Sequence, residues 1–177
     1  MRITTPQTLK SLKEQGKKFS CITSYDATFS ALANEANIDV ILVGDSLGMV
    51  VLGYEDTTEV TMDDMIHHLK AVKRARPKAL LVADLPYGTF GNPEAAIENS
   101  KRLVDAGAEA VKAEGGLIIS DTVRAIVNAG IPFLGHLGML PQSVKDASNQ
   151  RAGARQLEDR NRQRDRMSEA LLELLRQ

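Results

Sequence analysis

Four short apolar runs in this chain each end at a polar residue of the kind used in catalysis, and helix-like segments separate them. Residues 40–43, Val-Ile-Leu-Val, lead through Gly44 into Asp45 and Ser46. Residues 79–83 stop at Asp84. Ala110 and Val111 run into Lys112, Ala113 and Glu114, ahead of Gly115 and Gly116. Residues 131–134 lead to Gly135 and His136. A run that is apolar at every position is buried on both faces, which is the habit of parallel sheets. Strands that alternate with helices point the same way, to right-handed crossovers. In such sheets the C-terminal strand ends share one side. Asp45, Asp84, Lys112, Glu114 and His136 are therefore expected to converge there, although they are far apart in the chain.

Local signals place the elements. Residues 5–18 read as a short helix, and 19–24 as a first strand. Asp26 suits the N-cap of a helix over 27–36. Residues 38–43 form the second strand. The stretch 44–61 is long for a strand-to-helix connection, and long connections of this kind are usually functional. Thr61, with Asp64 three residues on, opens a helix whose stripe is Met62, Met65, Ile66, Leu69 and Val72 and which stops before Pro77. Asn92-Pro93 is a cap followed by a first turn, and Gly107 suits that helix's closing residue. Strands over 110–113 and 131–134 flank a helix over 120–128. His67 and His68 are adjacent on a helix and do not share a face, so no metal pair is read there. The expected fold is α/β, a parallel (β/α) barrel type with about five βα units, in a domain covering residues 1–146.

Beyond residue 146 the composition changes. Residues 150–166 are dense in Arg, Gln, Asp and Glu, and Met167, Leu171, Leu174 and Leu175 then give one helical stripe. Residues 147–177 read as a charged helical tail. Its leucines dock either on the sheet or on another copy of the chain. Acidic residues interspersed among the arginines argue against RNA.

The 177 residues suffice for one core, and the formal net charge of −1 gives no pull toward nucleic acid or a membrane surface. The start lacks a signal-peptide core and no apolar run is long enough to span a bilayer, so a cytoplasmic protein is expected. The single cysteine, Cys21, excludes an internal disulfide and reads as a core residue.

A lone Asp after a strand is usually a cap or a turn former. Recurrence at the same structural place is what lifts this set above that reading. Three carboxylates in one mouth repel unless something positive sits among them. A hard divalent cation with oxygen ligands answers that need, and Mg²⁺ fits because it accepts carboxylates while keeping several waters. Lys112 adds a positive charge suited to a substrate carboxylate, and Ser46 can donate a hydrogen bond to the same anion.

These segments resemble one family. Gly44-Asp45-Ser46-Leu47-Gly48-Met49, Ala83-Asp84-Leu85-Pro86, Val111-Lys112-Ala113-Glu114-Gly115-Gly116, and Gly135-His136-Leu137-Gly138 through Pro141-Gln142-Ser143 are similar to ketopantoate hydroxymethyltransferase, as is Thr23-Ser24-Tyr25-Asp26. The likeness runs from about residue 3 to about residue 146. It implies a (β/α)₈ barrel of the phosphoenolpyruvate-utilising superfamily and a homo-oligomer. It also implies an enzyme of pantothenate biosynthesis, making ketopantoate from 3-methyl-2-oxobutanoate and the co-substrate 5,10-methylenetetrahydrofolate. By the same resemblance Asp45 and Asp84 hold Mg²⁺, with Glu114 beside them through a metal-bound water. Asp45, Ser46, Asp84, Lys112 and His136 contact the 2-oxo acid or lie close to it. The family's proton-abstracting glutamate belongs to a later strand, outside the similar region. Glu158, Glu169 and Glu173 lie in the charged tail, so no catalytic base is assigned. The alternatives are a binder of Mg²⁺ and 2-oxo acid without turnover, and a module that joins oligomers.

Overall fold

The computed structural model describes residues 3–138 and 140–143. Five strands, β1 (Cys21–Thr23), β2 (Val40–Val43), β3 (Leu80–Asp84), β4 (Ala110–Glu114) and β5 (Phe133–His136), form one sheet in the order β1-β2-β3-β4-β5. Every neighbouring pair is parallel. The helices are α1 (Pro6–Glu14), α2 (Ala27–Glu35), α3 (Met62–Arg74), α4 (Pro93–Ala106) and α5 (Ser120–Asn128). The strand order never reverses, so the sheet lacks the switch point of a doubly wound fold and winds in the manner of a (β/α) barrel.

Side chains alternate across a strand, and the core divides accordingly. Ile41, Val43, Leu81, Ala83, Val111 and Ala113 pack in one cluster with Ala33 of α2, Met65, Leu69 and Val72 of α3, Leu103 of α4 and Ile126 of α5. Helices α2 to α5 thus share one face. On the other face Val40, Leu80, Val82 and Ala110 meet Leu42 and Leu9 of α1. A backbone bond from Thr4 N–H to the Lys78 carbonyl, 2.9 Å, ties the segment before α1 to the approach of β3. Leu81 is fully buried at the sheet centre. Leu81→Ala is expected to cost about 2–5 kcal/mol, read as a lower urea midpoint at unchanged slope.

The expected caps are present. Asp26 accepts from Phe29 N–H, Asn92 accepts from Ala95 N–H ahead of Pro93, and Thr61 and Asp64 form a reciprocal capping box. Gly107 closes α4 at φ 119°, and a Cβ there would meet Lys73 Cγ at 2.8 Å, so both conformation and space call for glycine. The long 44–61 connection folds into a π-helical turn at Gly48–Leu52 and a 3₁₀ turn at Thr57–Glu59.

Two expectations need correction. Cys21 is exposed, not part of the core, because β1 pairs only with β2 among the described residues and is exposed along its length. The last strand begins at Phe133, not at residue 131. Ile131 N–H closes α5 on the Ile126 carbonyl, 3.3 Å, and Pro132 has no N–H to give. The shift carries β5 through to His136, in register with Glu114. The charged tail expected over 147–177 lies outside the described residues. No described helix is long and apolar enough to cross a membrane.

Candidate active site

Register decides which polar side chains meet. Asp84 at the end of β3 pairs with Lys112 of β4, and Glu114 at the end of β4 pairs with His136 of β5. By alternation, Asp84, Lys112 and Glu114 point to the face away from α2–α5, in line with Val82 and Ala110. Lys112 Nζ donates to Asp84 Oδ1 at 2.5 Å. The other oxygen of Asp84 accepts the backbone N–H of Asp45, 3.2 Å, which fastens the loop after β2 onto the end of β3. A Cβ added at Gly44 would lie 3.1 Å from Ser46 Oγ and 3.2 Å from Asp84 Oδ2, so a residue without a side chain is what lets these groups close around the backbone.

Gln142 completes the cluster. Its side-chain amide donates to Asp45 Oδ2 at 2.7 Å and to the Leu85 carbonyl at 3.1 Å. Its backbone N–H donates to Glu114 Oε1 at 2.7 Å. His136 Nδ1 lies 3.3 Å from Glu114 Oε2, yet without hydrogen-bond alignment, so this buried nitrogen has a carboxyl neighbour but no hydrogen-bond partner among the described residues. Ser46 Oγ shares a 2.7 Å hydrogen bond with the Tyr25 hydroxyl, and the Tyr25 carbonyl meets His68 Nδ1 at 2.7 Å. Asp45, Asp84 and Glu114 are all buried.

Burial dominates the electrostatics. It pushes the Asp84 carboxyl up to about 6, with the Lys112 ammonium opposing the rise and the Asp45 charge adding to it. Burial likewise raises Asp45, against the Gln142 amide and Lys112. Partial desolvation raises the thiol of the exposed Cys21 too, and Lys112 works against that shift, which places Cys21 within electrostatic reach of the cluster. In the unfolded chain both carboxyls ionise near 3.8, before they do in the fold. Asp84's contribution to stability is complete below that value, declines as pH rises through about 6, and is flat above it, and the raised Asp45 acts in the same direction. Urea midpoints of the metal-free protein, compared with those of Asp84→Asn, are expected to lose ground between about pH 4 and about pH 6. A wild-type advantage that grows across that window would contradict the assignment.

The donor set fits a hard cation on a two-carboxylate basis. Asp45 and Asp84 are adjacent, buried and mutually repelling. Among the described residues no three His, Cys, Asp or Glu side chains are grouped to hold a metal by themselves. Mg²⁺ is commonly held by one or two carboxylates, with water and substrate supplying the rest. Glu114 faces Gln142 and His136, which suits a place beside a cation rather than on it.

The structure thus brings together the sequence-predicted Asp45, Ser46, Asp84 and Lys112, with Glu114 and His136 alongside. Tyr25 and Gln142 stood inside motif segments without a role. No periodicity marks either one, because each reaches the site through a loop.

The chain matches the family described as ketopantoate hydroxymethyltransferase over residues 3–172. It is 55% identical over 145 residues to 3-methyl-2-oxobutanoate hydroxymethyltransferase of Moorella thermoacetica, covering 81% of this chain and 54% of that protein. The enzyme of the same name from Cronobacter sakazakii is 51% identical over 144 residues, covering 81% and 54%. The chain spans about half the length of the curated relatives it matches. In fold it is similar to phosphonopyruvate hydrolase in complex with oxalate and Mg²⁺, with a TM-score of 0.64 at 16% identity over 90% of this chain and 60% of that one. It is also similar to 2,3-dimethylmalate lyase, a PEP mutase/isocitrate lyase superfamily member, with a TM-score of 0.57 at 20% identity over 75% and 52%.

Proposed function

The chain belongs to the ketopantoate hydroxymethyltransferase family, and from that premise we propose that it serves the transfer of a hydroxymethyl group from 5,10-methylenetetrahydrofolate to 3-methyl-2-oxobutanoate, a step of pantothenate biosynthesis. The observation that carries this reading is the buried Asp45–Asp84–Lys112 cluster at the ends of adjacent parallel strands. In the overall reaction the C3 proton of the 2-oxo acid leaves, a carbon–carbon bond forms to the methylene carbon as its two bonds to the folate nitrogens break, water supplies the hydroxyl, and tetrahydrofolate departs carrying the C3 proton and the remaining water proton.

Asp45 and Asp84 would hold Mg²⁺, whose contribution when bound is Lewis-acid polarisation of the keto oxygen. The similarity in fold to a protein crystallised with oxalate, a small dicarboxylate, and Mg²⁺ supports this choice of cation. Lys112 supplies the charge that draws the substrate carboxylate to the strand ends. Ser46 donates to the same anion, and Tyr25 sets the direction of the Ser46 hydroxyl through their shared hydrogen bond. His136 stands at the rim of the cluster beside Glu114. Burial of the carboxylates excludes water from their surroundings and strengthens each of these interactions.

A second reading has an observation of its own. Glu114, the remaining carboxylate of the cluster, is engaged by the Gln142 backbone and flanked by His136. That favours capture of Mg²⁺ and 2-oxo acid over proton abstraction as the task of the described residues. One experiment separates the two readings. Calorimetry of 3-methyl-2-oxobutanoate with and without Mg²⁺ is expected to give binding only with the metal, and absence of metal-dependent binding overturns both. Ketopantoate formed on addition of 5,10-methylenetetrahydrofolate selects the enzyme, and binding without product selects the binder. Assembly as a homo-oligomer belongs to the same proposal. The exposed Ile22, Phe29 and Leu32 support it, and light scattering tests it.

A further inference from the structure

Gln142 bonds to three segments at once. Its partners lie in the loop after β2, in the residue after β3 and at the end of β4, at separations of 97, 57 and 28 positions. It is itself only 5% exposed. The orientation of its amide is determined by chemistry: the Leu85 carbonyl and the Asp45 carboxylate are both acceptors, so the nitrogen must face them and spend one hydrogen on each. Asp84 and Asp45 are thus partnered differently. Asp84 faces an ammonium, whereas Asp45 faces a neutral donor that adds no positive charge to compete with a cation.

We propose that Gln142 is the positioning residue for Asp45: it fixes the rotation of that carboxylate so that Asp45 and Asp84 present oxygens to one divalent cation. The inference rests on the metal-binding reading given above and names the residue that makes the pair a site. Without the amide, Asp45 is free to turn away from Asp84, and mutual repulsion favours that turn. The backbone link to Glu114 anchors the main chain from which the amide reaches Asp45 and the Leu85 carbonyl.

The test is Mg²⁺ calorimetry on the full chain as wild type, Gln142→Leu, Asp45→Asn and the double variant, with thermal melts of each in chelator. Leucine keeps the bulk and the backbone N–H while removing the donors. Gln142→Leu is expected to weaken Mg²⁺ binding roughly tenfold, the usual effect of losing a group that orients a metal ligand. In the Asp45→Asn background the same change is expected to add nothing, since the two act as one unit. Unchanged Mg²⁺ affinity in Gln142→Leu, or an equal loss in the Asp45→Asn background, overturns the proposal. Gln142→Asn, which keeps the amide but cannot span the distance, supplies the same comparison should the leucine variant melt below the assay temperature. A wild type that binds no Mg²⁺ defeats the metal-binding reading and the inference with it. A wild type that binds beside a variant that binds equally well defeats the inference alone.

Discussion

Asp84→Asn is expected to lower Mg²⁺-dependent affinity for 3-methyl-2-oxobutanoate by roughly a hundredfold or more, while the chain still folds. The substitution keeps the shape and removes the charge that the cation and Lys112 both require. Two opposing effects on the fold accompany it. Asparagine has one acceptor oxygen where the carboxylate offered one oxygen to Lys112 Nζ and another to Asp45 N–H, so one donor is left facing an amide nitrogen. Against that, a buried carboxyl whose ionisation is delayed to about 6 no longer has to be charged at neutral pH. Calorimetry with and without Mg²⁺, beside urea unfolding, measures both sides. Retained metal-dependent binding would reduce Asp84 to the structural partner of a lysine.

Lys112→Met is expected to act on both the fold and the site. It removes the ammonium that offsets the buried Asp84 and Asp45 charges while preserving the length of the chain that fills the space. Leaving a buried charge without its partner typically costs about 3–5 kcal/mol. The loss should shrink as pH falls through about 6, because a protonated Asp84 no longer needs the ammonium. Affinity for the 2-oxo acid should fall at every Mg²⁺ concentration, since the substrate carboxylate has lost its counter-charge. Urea midpoints above and below that pH, together with calorimetry, check both statements. A pH-independent loss of stability would indicate that Lys112 matters chiefly through packing.

The strand-and-helix order could be read from the chain because each element carries its own boundary chemistry. Asp26, Thr61 and Asn92 cap the helices that their neighbours form, and the apolar runs ending at Asp45 and Asp84 are strands buried between two faces. The convergence of Asp84 with Lys112 was likewise legible, since parallel strands put their C-terminal ends on one side. What local patterns do not carry is any contact made through a loop. Gln142 follows the last strand after the short run Leu137-Gly-Met-Leu-Pro141, and nothing in its neighbourhood specifies that its amide will face Asp45, 97 positions away. The exposure of Cys21 escaped for a related reason: an apolar run reads as buried whether or not another strand lies beyond it. The late start of β5 turned on one imino acid, Pro132, and on where α5 finishes its last turn.

The unbroken strand order has a kinetic consequence. Each strand lies beside the one made just before it, so each pairing needs only the preceding βα unit and the sheet can grow in step with synthesis. The carboxylate cluster obeys a different clock. Asp84 waits for Lys112, and Asp45 waits for Gln142, so the scaffold is laid down early while the chemistry assembles only when the 3₁₀ turn at Pro141–Ser143 arrives. Nascent chains halted before that turn should be folded in their first strands and are expected to bind Mg²⁺ no more tightly than Gln142→Leu.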